Sequence, residues 1–434
     1  MRLAGRISAA IDVLADSFER HRPASMALAD WGRAHRFAGS GDRSAIGTLV
    51  YDALRKRASL GWRMGDDSPR GLVLGALRHV WGLPAEEIAA LCDGSEHAPA
   101  ALSDAERDRL SADAEAAGDM PGWIAADVPE WLFPEFEAAF GANAVAEGQG
   151  LAERAPIDLR ANTLKADRPR VLKALEKYRP AATPISPLGI RIAAPGSQEK
   201  NPNVEAEAAH GKGWFEVQDE ASQIAVALSG AGPRLQVLDL CAGSGGKTLG
   251  MAALMQNTGQ IHAFDSDKLR LRPIFERLKR AGARNVQVIP AGEEAALDAL
   301  TGRMDVVFAD APCSGSGVWR RRPDAKWRLT PEALALRIEE QRRVLERAAP
   351  LVRPGGRLVY ATCSVIAAEN GAQTRWFLEH FPEFAERAWT EVWKDSPLPS
   401  PPPAVAGNSG AALQLTPASH GTDGFYISVL ERRA

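Results

Sequence analysis

Two of the chain's four cysteines stand where a thiol can act on a bound molecule. Cys313 follows a proline in DAPCSGSGVWRRRPDAKW (residues 310–327), and Cys363 closes LVYATC (residues 358–363). Each comes just past an apolar run of the kind that forms a buried parallel strand, and in open parallel sheets ligands lie outside the carboxyl ends of the strands. Both thiols are therefore expected to face one crevice. A lone cysteine is usually a small buried residue, but two at equivalent strand ends point to chemistry. Carbon 5 of a pyrimidine is a poor nucleophile until a thiolate adds at carbon 6 and turns the ring into an enamine. Afterwards the carbon 5 proton must leave and the thiol must be eliminated, a step that a second cysteine can assist. Asp310 is placed to hydrogen-bond the exocyclic amine of the base and so select cytosine over uracil. Arg320, Arg321, Arg322, Lys326 and Arg328 are expected to favour a thiolate and to hold a polyanion beside it.

A glycine loop upstream supplies a second ligand site. VLDLCAGSGGKT (residues 237–248) ends a strand, turns on Gly243, Gly245 and Gly246, and opens a helix whose free amides suit a negative group. The spacing is neither that of a dinucleotide fingerprint nor that of a P-loop. Lys247 is available for a carboxylate, and Asp265, at the end of the next strand IHAFD, for the hydroxyls of a ribose. Together they suit S-adenosyl-L-methionine better than a nicotinamide nucleotide.

The elements that must position these residues follow from length and periodicity. A chain of 434 residues suggests two or three domains, and 45% hydrophobic with 25% charged residues is an ordinary globular composition. No run approaches the ~18 apolar residues of a membrane span, and charges break the N-terminal stretch too early for a secretory signal, so a cytoplasmic location is expected. The cysteines form no close pair and the eight histidines no cluster, so no metal is expected. A net charge of -3 means that a nucleic acid would have to be met by local patches. Residues 1–140 read as an all-α unit, including a polar, alanine-rich helix over residues 103–118. There Arg43, Arg55, Lys56 and Arg57 form either a solvated helix face or an RNA contact. Residues 150–212 read as a small α/β module with seven Lys or Arg and two acids between Arg160 and Arg179. Residues 213–434 alternate apolar runs with amphipathic helices, as a parallel sheet covered on both faces requires, with a proline-rich loop over residues 395–421 and a last strand in GFYISVLERR.

DLCAGSGGKT, DAPCSGSGVWRRRPDAKW, YATCSV followed by Glu369 and Asn370, and HGTDGFY together resemble the RNA (cytosine-5) methyltransferases of the Sun, or small-subunit rRNA methyltransferase B, family. RHRPASMALAD and GSGDRSAIGTLVYDALR resemble the NusB-like RNA-binding domain of that family. The resemblance implies a class I, Rossmann-like α/β methyltransferase domain preceded by an all-α NusB-like domain and a small α/β RNA-binding module. It implies methylation of carbon 5 of a cytidine in 16S rRNA through a covalent adduct, with Cys363 as nucleophile and Cys313 needed for product release. Cys241, Ala242, Gly243, Ser244, Gly245, Gly246 and Lys247 would line the methionine end of the donor, Asp265 its ribose, and Asp310 the junction of donor and base. One departure is PAGEE, where Gly292 and Glu293 stand in for the family's Gly-Asp, leaving Glu293 to meet the adenine.

RNA would be held by the basic module, by the helix spanning residues 268–284 and by the N-terminal bundle of a monomer, with the target base flipped out. Transfer RNA or DNA is the alternative substrate. A non-catalytic ribosome-assembly factor is the alternative function, against which stands the intact set Lys247, Asp265, Asp310, Cys313 and Cys363.

Overall fold

The computed structural model describes residues 1–112, 120–196, 199, 202–405 and 410–434. Its N-terminal part is a helical bundle from Leu3–Glu19 to Asp104–Ser111. The first helix buries Ile7, Ala10, Val13, Leu14 and Ser17, the three- and four-residue spacing of one helix face. Helix starts carry their own stops: Ser68 accepts from the Gly71 amide ahead of Pro69, and Ser103 and Glu106 form a capping box. The helix expected over residues 103–118 is seen as Asp104–Ser111, and residues 113–118 lie outside the described residues.

The core of this bundle ends at Leu110. The next helices, Phe133–Phe140 and Ala144–Leu151, pack elsewhere: Phe136, Phe140 and Leu151 share a core with Trp319, Val365 and Ile366, and the Phe136 and Trp319 rings stack with centroids 6.1 Å apart. The helices Phe133–Phe140 and Ala144–Leu151 thus support the loops of the two cysteines.

Strands β1 (Ile157–Ala161), β2 (Ala181–Ala182), β3 (Gly189–Ile192) and β4 (Phe215–Val217) form an antiparallel sheet in the order β2-β3-β1-β4. Because β4 pairs with β1, this small unit runs past the boundary expected at residue 212.

The large sheet contains β5 (Gln236–Asp239), β6 (Gln260–Phe264), β7 (Val286–Ile289), β8 (Met304–Asp310), β9 (Val352–Thr362), β10 (Phe384–Arg387), β11 (Leu413–Leu415) and β12 (Phe425–Arg432). Its order is β10-β12-β9-β8-β5-β6-β7, with β11 also on β12. Strands β5 to β9 are mutually parallel, and β12 enters antiparallel beside β9. Val237, Phe308 and Val359 face one buried layer, and Leu238, Val307 and Leu358 the other, as a sheet covered on both faces demands. The chain reverses direction across the sheet between β5 and β8, which opens a crevice at their carboxyl ends.

Candidate active site

Four neighbouring strands end at this crevice and carry the glycine loop, Asp265, Asp310 with Cys313, and Cys363. After β5 the backbone turns on Gly245, whose φ of +86° belongs to the left-handed region, and a Cβ there would stand 2.6 Å from Ile274 Cγ1. Only glycine fits that close approach of loop and helix. The turn delivers the N-terminus of the helix Gly246–Leu254 to a cavity of about 270 Å³, lined by residues 241–244, Gly246, Lys247 and Asp310. Asp265 is buried beneath the loop and braces it, accepting from the Gly243 amide at 2.9 Å and from the Asp267 amide at 2.9 Å. Below the loop, Asp239 Oδ2 accepts from Thr248 Oγ1 at 2.6 Å, while its buried Oδ1 has no protein donor. Burial pushes the Asp239 carboxyl up to about 7.

Helix amides and a buried carboxylate oxygen lacking a donor fit the amino-acid end of S-adenosylmethionine, whereas Asp265, expected at its ribose, braces the loop and does not line the cavity. Glu293 does not join them. It stays exposed in the loop after β7, its amide bonded to the Pro290 carbonyl at 3.1 Å, and does not line the cavity.

The two thiols meet across the ends of β8 and β9, with Cys313 Sγ 3.4 Å from Cys363 Sγ. Glu369, fully buried, ties their loops together. One oxygen accepts from the Ser314 amide at 2.7 Å and from Gln341 Nε2 at 3.1 Å, the other from Ser314 Oγ and Ser364 Oγ at 2.5 Å each. Each serine directly follows one of the cysteines. Asn370 holds the second loop, accepting from Thr362 Oγ1 at 2.6 Å and donating to the Ser364 carbonyl at 3.0 Å. Gly317 donates to the Cys363 carbonyl at 3.0 Å and accepts from the Gly424 amide at 2.9 Å, and a Cβ on Gly317 would stand 2.0 Å from the Gly424 carbonyl oxygen. The glycines of SGSG and TDGFY therefore allow three loops to close on one another.

The charges around the thiols differ from expectation. Cys313 is pushed well above the usual thiol range, first by its hydrogen bond with Cys363, then by burial and by the negative charges of Cys363 and Glu369. Two of the arginines do not offset this, because they are engaged elsewhere. Arg320 binds Asp423 at 2.6 Å and Asp219 at 3.4 Å, and Arg321 binds the same carboxylates at 2.6 and 2.9 Å. Lys326, fully buried, donates to the Arg55 carbonyl at 3.0 Å, and Trp327 Nε1 donates to the Leu54 carbonyl at 2.6 Å, satisfying the C-terminal end of the helix Ser40–Arg55. Burial pushes Lys326 down to about 8. The basic stretch after Cys313 is thus a latch joining the bundle, the small sheet and the C-terminal strand.

Lys247 lines the cavity, as do Arg270 and Arg277, and stands next to Asp310. It is ion-paired with Asp310 at 2.5 Å instead of standing free for a ligand carboxylate. Burial alone would lower its pKa, but Asp310, with smaller effects from Cys363 and Asp239, raises it. The structure thereby brings Lys247, Asp310, Cys313 and Cys363 together. The sequence assigned no role to Asp239 or to Glu369, although Glu369 stands among the residues that carry the resemblance; an acid in an otherwise apolar strand end was the available signal for Asp239.

The basic residues expected to meet RNA are also partly engaged within the protein. Arg160 is buried and donates to the Gly246 carbonyl at 3.0 Å, while Arg277 and Arg280 both bind Glu216 on β4. Among the described residues no group of three or more His, Cys, Asp or Glu is placed to hold a metal, and no helix is long and apolar enough to cross a membrane.

The family described as 16S rRNA methyltransferase RsmB/F matches residues 230–431, and the ferredoxin-like domain of RsmF/B-like methyltransferases matches residues 128–199. The chain is 32% identical over 313 residues to the probable ribosomal RNA small subunit methyltransferase B of Synechocystis, covering 70% of this chain and 66%, just under two thirds, of that protein. It is 31% identical over 345 residues to ribosomal RNA small subunit methyltransferase B of Vibrio cholerae, covering 77% of this chain and 71% of that one. The crystal structure of PH0851 superposes with a TM-score of 0.72 at 26% identity, over 100% of this chain and 99% of that chain. The Rossmann-like methyltransferase fold, the crevice at its strand ends and these matches agree, and the chain belongs to the ribosomal RNA small subunit methyltransferase B family.

Proposed function

We propose that this protein transfers a methyl group from S-adenosylmethionine to carbon 5 of a cytidine in small-subunit ribosomal RNA, through a covalent cysteine adduct, as a cytoplasmic monomer. The observation that carries the reading is the pair of thiols 3.4 Å apart beside the Asp310–Lys247 ion pair. When bound, S-adenosylmethionine supplies its methyl as an electrophile on a sulfonium, which leaves as a neutral thioether. Residues 241–247 would hold its methionine end, with Asp265 fixing the loop. Asp310, held by Lys247, accepts from the exocyclic amine of a cytosine and fixes the ring's orientation. Cys363 is the nucleophile: its thiolate forms a bond to carbon 6, and the displaced electron pair makes carbon 5 nucleophilic. Once carbon 5 is methylated, its proton passes to a base supplied by solvent, and the electron pair of the broken carbon–hydrogen bond restores the ring double bond and expels Cys363 as thiolate. Cys313, whose surroundings keep it a neutral thiol, stands within reach to return a proton at that stage.

The test is transfer from labelled S-adenosylmethionine to deproteinised small-subunit rRNA from cells lacking the protein, with transfer RNA and intact subunits in parallel. The expected product is 5-methylcytidine in free rRNA alone. Cys363→Ala should abolish turnover, and Cys313→Ala should accumulate protein covalently joined to RNA. Full turnover by Cys363→Ala, or RNA binding with no label in any substrate, would overturn the reading.

A further inference from the structure

A second polar cavity, of about 480 Å³, lies where the N-terminal bundle, the small sheet and the loop after Cys313 meet. From the helix Ser40–Arg55 come Ser44, Thr48, Tyr51 and Arg55, on successive turns of one face. Arg154, Arg320 and Arg321 line the other walls, and Arg43, exposed, completes the set. No carboxylate lines the cavity. The acids that balance these arginines stand behind them and are fewer. Asp52 serves both Arg55 and Arg154, while Asp219 and Asp423 serve both Arg320 and Arg321. Arg43 forms no ion pair among the described residues. Four of the guanidiniums share these three carboxylates, and Arg43 adds a fifth beside a space lined by three hydroxyls. Guanidiniums and hydroxyls around a space whose lining holds no carboxylate are the chemistry that holds a phosphate. The volume suits one nucleotide unit.

We propose that this cavity binds a phosphodiester of the RNA substrate. The inference rests on the function proposed above and adds to it the place where the RNA backbone is held. Arg320 and Arg321 belong to the loop that carries Cys313, so a phosphate held there sets the register of the strand relative to the thiols without reading its sequence. The cavity also gives the bundle a part in the reaction, because half of its lining comes from a helix remote in sequence from the catalytic strands.

Arg43→Glu is the testing substitution, since Arg43 is exposed and its loss breaks no ion pair; Arg43→Ala is the milder companion. Binding of a small-subunit rRNA transcript is measured from 50 to 200 mM salt, with melting curves to confirm folding. Arg43→Glu should weaken binding at least tenfold at low salt, and Arg43→Ala should flatten the slope of log affinity against log salt by roughly 0.7–0.9. Competition by inorganic phosphate and by a nucleoside monophosphate separates the sources: RNA affinity unchanged in both variants, with phosphate binding lost, would make this a free-anion site and overturn the proposal. Wild-type protein that binds and methylates rRNA alongside variants with unaltered affinity and salt slope would overturn the cavity alone. Wild-type protein that does neither would overturn the function and the cavity with it.

Discussion

Replacing Glu369 with alanine should both destabilise the protein and loosen the thiol pair. The carboxylate accepts four hydrogen bonds at 2.5 to 3.1 Å in a fully buried position. The two serine hydroxyls can turn to other acceptors, since Ser364 Oγ already lies 2.9 Å from Ser316 Oγ. The Ser314 amide cannot turn, and Gln341 Nε2 keeps only the Pro312 carbonyl at 3.0 Å. A buried donor left without a partner costs about 1–3 kcal/mol, and the small void adds to it, so Glu369→Ala should cost ~3–5 kcal/mol. That is a large share of the roughly 5–15 kcal/mol that holds a native domain together. Glu369→Gln keeps the shape, and its amide can donate to hydroxyls that rotate to accept, so its cost should stay near 1 kcal/mol. Urea unfolding measures the first quantity, and the rate at which a soluble disulfide reagent modifies the thiols measures the second. In the alanine variant the midpoint should fall, the thiols should react faster, and kcat should drop more than KM changes. An alanine variant with unchanged midpoint, thiol reactivity and kcat would refute the assignment of Glu369 as the residue that positions both cysteine loops.

The latch predicts that Asp423→Ala destabilises by ~3–5 kcal/mol, because Arg320, almost wholly buried, loses its closer partner; unchanged stability in urea unfolding would refute the latch. Gly245→Ala places a Cβ 2.6 Å from Ile274 Cγ1 at a φ of +86°. It should cost about 2–3 kcal/mol and weaken S-adenosylmethionine in calorimetric titration. His79 is pushed down to about 4 by burial, then by Arg63 and Arg78, from an ordinary value of 6.5. Below pH 6.5 the unfolded chain therefore binds the proton more readily than the folded one, so the His79 contribution is present at neutral pH and is lost as pH falls toward 4. Thermal melts of wild type and His79→Gln should diverge in pH dependence only below about 6.5, and parallel curves would show that His79 does not titrate this way.

The parallel sheet was legible because strands buried on both faces read as unbroken apolar runs, and Val237-Leu238 and Val306-Val307-Phe308 are such runs. The meeting of the thiols followed from the strand-end rule alone. What escaped was the use made of charge. Arg320 and Arg321 find their carboxylates on Asp219 and Asp423, about a hundred residues away on either side, and no local pattern reveals a partner at that distance. The helices Phe133–Phe140 and Ala144–Leu151 are amphipathic in either setting, and periodicity shows that a face is buried without showing against what. Strand β4 is only three residues long, too short for any alternation to separate it from the unit that follows.

The contact of Gly317 with Gly424 has a consequence for the order in which the molecule is built. The loop bearing Cys313 closes against a backbone segment that is translated long after both cysteines. During synthesis the chain can assemble the bundle, the small sheet and most of the parallel strands while the thiol pair is still open on one side. A ribosome that stalls before Gly424 would release a protein with every chemical group in hand and no closed site. Closure of the thiol pair's surroundings thus waits for the segment that leads into the strand sealing the sheet.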